Sequence, residues 1–159
     1  MTIAGRMMVC LAAGACAFAM DLRAAPTSIA DGIVRSRVAG IDVIVKPTGV
    51  KDVVRIHGSI AAGSMFNPPD NAAIATLTAG MLDRGSVGRD KFEMAKRLED
   101  VGATIGFLPT NTFVRVYARC LKKDMSMVVG LLAEQLRAPV FAPAELDKLR
   151  EQEIGRIRE

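Results

Sequence analysis

Hydrophobic positions along this chain change period several times, and the changes mark out its elements. Residues 41–46 (IDVIVK) are a β-branched run between Gly40 and Pro47, which predicts a strand. Residues 53–61 predict a second strand, and the turn residues at 48–52 make the two a predicted hairpin, closed off by Gly58 and Gly63. Asn67-Pro68-Pro69-Asp70 is a turn cluster that signals a helix start. From Asn71 the period lengthens: Ile74, Leu77, Thr78, Met81 and Leu82 fall on one helical face. Gly85 reads as the stop of that helix.

A second helix opens at Asp90-x-x-Glu93, an acidic variant of a capping box, with Phe92, Ala95, Leu98 and Val101 expected inward and Gly102 as its end. Residues 104–108 and 112–121 predict strands around a turn at 109–111. In the second of these, Val114, Val116, Ala118 and Cys120 alternate with Arg115, Tyr117 and Arg119, giving one buried and one wet face. Asp124 is expected to cap a third helix carrying Val128, Leu131, Leu132 and Leu136. A last helix starts near Pro143 and carries Leu146, Leu149, Ile154 and Ile157, reaching Glu159 with no stop signal. The order is β-β-α-α-β-β-α-α. Hairpins followed by helices predict an α+β fold, an antiparallel sheet with helices packed on one face.

Composition narrows this picture. A chain of 159 residues predicts one domain, and 50% hydrophobic with 24% charged residues predicts a globular one. Aromatics make up 4%, with no Trp and one Tyr, so the core is aliphatic. The net charge is +4, but Lys and Arg are dispersed, and the densest group, residues 148–158, is interleaved with Glu. No nucleic-acid partner is expected from such a distribution.

The N-terminus reads as a leader. Arg6 gives a short positive region, and residues 7–20 form an apolar run too short to span a bilayer, so no membrane span is expected. Ala17-Phe18-Ala19 fits the A-x-A cleavage pattern, which makes residues 1–19 a signal peptide and the periplasm the expected location. Ala13-Gly14-Ala15-Cys16 is lipobox-like and leaves lipidation at Cys16 as the alternative. Residues 20–39 read as an irregular segment, and 40–159 as the domain. Cleavage removes Cys10 and Cys16 and leaves Cys120 without a disulfide partner.

The chemistry centres on residues 75–86, ATLTAGMLDRGS. Met81, Leu82, Gly85 and Ser86 resemble the Met-Leu-x-x-Gly-Thr tail that follows H-x-x-E-H in pitrilysin/insulinase-type zinc peptidases, the inverzincins. Ala61–Pro69, Leu98-Glu99-x-x-Gly102-Ala103 and Pro139-x-Phe141-x-Pro143-x-Glu145-Leu146 are similar to other landmarks of that family, in the same order. The family's catalytic positions here hold Thr76, Ala79 and Gly80. Two imidazoles hold zinc and a carboxylate activates water in the family motif; a hydroxyl, a methyl and a hydrogen do neither. The resemblance therefore implies no catalytic, metal or cofactor-binding residue in this chain. It implies a non-catalytic subunit or domain that pairs with an H-x-x-E-H partner, where the zinc resides, to enclose an unfolded peptide. A structural assembly protein of the same fold is the alternative. The family domain is longer than this one, so the resemblance also implies a domain truncated at its C-terminus.

Other candidate residues read as structural. His57, the single histidine, stands on a strand without ligand-type neighbours at metal spacing. Cys120 reads as a small buried hydrophobe. Thr76 and Thr78 read as bonding the preceding helical carbonyls. Glu151 and Glu153 lie where the family has its third zinc ligand, and Glu153 reads as a solvated helix residue. Ser59, Ser64 and Ser86 have no nearby base, and no G-x-S-x-G is present, so a hydrolase of unrelated mechanism has no nucleophile–base pair.

Overall fold

The computed structural model describes residues 30–158. The leader, its A-x-A site, Cys10, Cys16 and Glu159 lie outside them. The chain divides into two units, Met1–Pro47 and Thr48–Glu159.

In the first unit, β1 (Val34–Val38) and β2 (Ile41–Val45) form an antiparallel hairpin with Val38 opposite Ile41. Its two-residue loop, Ala39-Gly40, has φ of 48° and 85°. Positive φ at both positions matches the turn whose twist suits adjacent strands. This corrects two expectations. The segment 20–39 contains a strand, and residues 41–46 pair upstream with it instead of downstream with 53–61. Periodicity identifies a strand but not its partner, and here the tight turn at 39–40 decides it.

In the second unit, β3 (Val53–Ile60) leads into a 3-10 turn at Ser64–Phe66 and then α1 (Ile74–Met81). Two short strands follow, β4 (Gly85–Ser86) and β5 (Arg89–Asp90), then α2 (Lys91–Glu99). β6 (Thr104–Pro109), β7 (Val114–Leu121), α3 (Met125–Arg137) and α4 (Pro143–Arg158) complete it. The sheet is antiparallel in the order β3-β7-β6.

The alternation in β7 holds residue by residue: Val114, Val116, Ala118 and Cys120 are buried, while Arg115, Tyr117, Arg119 and Leu121 are exposed. Ala118 and Cys120 join Ala103 and the fully buried Val128 of α3 in a core. Val54, Ile56, Leu98, Val101, Ile105 and Met127 pack around it. Helices thus cover one face of the sheet. Among the described residues no helix is long and apolar enough to cross a membrane.

The helical faces match the expected ones in part: Met81, Val128, Leu131 and Leu149 are buried and Leu98 and Val101 pack on the core, but other positions differ. In α2, Phe92 is 72% exposed and Ala95 is also exposed, while Met94 is buried at 2%. In α1, Ala75, Ala79 and Met81 are buried, whereas Ile74 and Thr78 are exposed. In α3, Gln135 is buried in place of Leu136. Of the apolar residues in α4, only Leu149 is buried, and Ile157 is 79% exposed. An apolar period locates a helix; which of its residues lie deepest depends on how close its neighbours come. The Asp124 side chain makes no cap bond, because its backbone is already helical where a capping residue is extended. Gly85 does not stop α1, which ends at Met81. Its φ of +119° instead turns the chain into β4, a conformation that favours glycine.

Candidate functional site

Asn67 fixes where α1 begins. Its Nδ2 donates to the Ala72 carbonyl at 2.6 Å, and its Oδ1 accepts from the Ala75 amide at 3.2 Å. The turn before it rests on the β6–β7 connection: the amides of Gly63, Ser64 and Met65 donate to the carbonyls of Thr112, Thr110 and Asn111. A side chain at Gly63 would overlap the backbone of Asn111 and Thr112, so glycine is needed there for close approach.

From this anchor α1 packs against β6 and α4. Small residues at Ala75 and Ala79 let the backbones approach. Gly80 faces α4, and a Cβ there would lie 2.9 Å from Leu149 Cδ2 and 3.3 Å from Cδ1. Leu149 fills the space beside Gly80. Thr76 is half-buried on the same helix.

A zinc ion does not fit this arrangement. The three side chains offer no nitrogen or carboxylate, and a larger side chain at Gly80 would have to displace the end of the Leu149 side chain. His57 is not near them in kind or setting: it is exposed on β3, opposite Tyr117. Cys120 is buried in the core, where burial first and the Asp124 charge second push its thiol above the ordinary range. Glu151 is exposed. Glu153 is half-buried and paired with Arg156 one turn on, so it is less solvated than expected. Among the described residues no three ligand-type side chains come together.

Two ionic nodes organise the surroundings of the helix instead. Glu145, in the first turn of α4, accepts from Lys91 at 2.7 Å, Lys148 at 2.9 Å and Arg84 at 3.4 Å. The bonds from Lys91 and Lys148 draw its carboxyl down to about 2 from 4.5. It ties α4 to the segment after α1 and to the start of α2. Glu134 of α3 accepts from Arg89 and from the hydroxyl of buried Ser86. Glu145, Arg84 and Lys91 of the first node and Ser86 and Arg89 of the second line a groove of about 410 Å³ beside Phe92 and Val140. Neither node was legible in the sequence. Apart from Lys148, three positions from Glu145, the partners are separated by 45 to 61 positions and leave no local pattern.

The model of the insulinase family (peptidase family M16) matches residues 43–159. The chain is 26% identical over 107 residues to mitochondrial-processing peptidase subunit alpha-1 of Dictyostelium discoideum, covering 67% of this chain and 16% of that one. The crystal structure of a peptidase M16 inactive domain from Pseudomonas fluorescens superposes with a TM-score of 0.70 at 24% identity, over 76% of this chain and 30% of that one. The chain thus spans less than a third of either relative. The last likeness establishes the α+β fold. The family model matches the whole of the second unit and the last residues of the first, and the chain belongs to the insulinase family of peptidases, M16.

Proposed function

We propose that this chain is a non-catalytic subunit or half-domain of an M16 peptidase, which pairs with a partner carrying H-x-x-E-H and zinc to enclose an unfolded peptide. The observation that carries this is the pairing of Gly80 with Leu149, where the family's metal-binding helix has been filled with apolar packing. The kinship with a processing-peptidase α subunit and with a domain described as inactive supports the same reading. Delivery to the periplasm by residues 1–19 belongs to the proposal.

The test mixes the purified chain with an M16 partner bearing H-x-x-E-H and follows cleavage of an unstructured fluorogenic peptide. The chain alone retains no stoichiometric zinc and cleaves nothing, and the mixture cleaves faster than the partner alone. Unchanged activity on mixing points to a structural role in the same fold. Chelator-sensitive cleavage by the chain alone refutes both readings. A reporter that is active only outside the cytoplasm, fused after residue 30, tests the leader.

A further inference from the structure

The face of the β3–β7–β6 sheet turned away from the helices carries a charge pattern that the linear sequence hides. Register sets Arg55 directly opposite Arg119 and Ser59 opposite Arg115, with His57 opposite Tyr117 in the row between. All of these side chains are exposed. No Asp or Glu stands on any of the three strands. Among the described residues no carboxylate pairs with Arg55, Arg115 or Arg119, whereas Arg84, Arg89, Arg150 and Arg156 each have one. Like charges directly opposite on a sheet repel. The sheet thus holds three uncompensated guanidinium groups that an anionic partner would neutralise.

A groove of about 560 Å³ crosses this face, lined by His57, Ser59, Leu108, Arg115 and Tyr117. The Tyr117 ring lies over Gly106, where any side chain would overlap it. Leu108 and Leu121 add exposed apolar surface. We infer that this face docks an acidic polypeptide segment in which carboxylates alternate with apolar side chains. Guanidinium groups bind carboxylates bidentately. A single-stranded nucleic acid stacks successive bases on a run of aromatic rings, and this face offers Tyr117 with only the His57 imidazole opposite it, beside leucines.

The inference does not depend on a peptidase partner, so failure to stimulate cleavage leaves it standing. The test is fluorescence anisotropy of a labelled alternating Glu–Leu peptide with the full chain. Charge reversal of Arg55, Arg115 and Arg119 together is expected to weaken binding about tenfold or more, as three exposed ion pairs turn repulsive. Reversal of Arg137, Arg150 and Arg156, with the same change in net charge, leaves it intact. The Arg55→Gln, Arg115→Gln, Arg119→Gln variant gives the same readout if the reversed one fails to fold by circular dichroism. Absence of binding, equal binding of a Lys–Leu peptide, or equal weakening by both reversals overturns the proposal. Tighter binding of a single-stranded oligonucleotide also overturns it and assigns the face to nucleic acid.

Discussion

At the scale of single residues, the informative position is Gly80. Thr76, Ala79 and Gly80 were legible in the sequence as lacking metal chemistry. Leu149, which fills the gap, was not, because it lies on another helix with no motif to mark it. Restoring Thr76→His, Ala79→Glu and Gly80→His together is expected to destabilise the chain by about 1–3 kcal/mol in urea unfolding, since a crowded site is overpacked. Elemental analysis after dialysis finds no stoichiometric zinc. Adding Leu149→Ala recovers part of the stability. Glu145 makes a second residue-scale prediction. Its carboxyl titrates near 2 in the folded chain against 4.5 ordinarily. A lowered folded value means that its contribution is fully present above 4.5 and is lost as the pH falls toward 2. The stability difference between the native chain and Glu145→Gln is therefore constant near neutrality. It shrinks across that acid window, and a difference unchanged at pH 3 contradicts the assignment.

At the scale of elements, local signals succeeded wherever the physics was local. The capping box is present in full: Asp90 Oδ1 accepts from the amides of Phe92 and Glu93 at 2.8 Å each, and Glu93 accepts from the Asp90 amide at 3.3 Å. Asp90→Ala is expected to cost about 1 kcal/mol in thermal or urea unfolding, with Asp90→Asn nearly neutral. At the other end of α2, the Ala103 amide reaches the Leu98 carbonyl and the Gly102 amide reaches Glu99, a Schellman closure around Gly102 at φ +61°. Here the glycine stop signal was right. It failed at Gly85, where the same residue type serves a turn between short strands. The inward faces of α1 and α2 were right at Met81 and Leu98 and misread elsewhere for a related reason. Close packing selected Ala75, Ala79 and Met94 over the bulkier Ile74 and Phe92.

At the scale of the whole molecule, the α+β class followed from the order of hairpins and helices and the buried face of the sheet from alternation in β7, but the pairing of strands did not follow. β2 belongs to a hairpin in one unit and β3 to a sheet in the other, and sequence adjacency of strands misled. Nearly every residue of the β1–β2 hairpin is exposed, and an isolated two-stranded hairpin is marginal in water. Hydrogen exchange followed by mass spectrometry is expected to exchange residues 34–45 well before 114–121. Equal protection of the two segments contradicts that expectation. The arginine-lined face shows the same limit from the other side. Charges that looked dispersed along the chain are gathered by strand register.

The seating of the Ser64–Phe66 turn on the β6–β7 connection also has a kinetic consequence. The turn before α1 is held by amides whose carbonyl partners lie at 110–112, so a nascent polypeptide that has not yet emerged past that point has the local Asn67 bonds but not this seat. By this topology the turn that leads into α1 is among the segments that settle late during synthesis. Loop closure over so long a separation comes before the reward of docking.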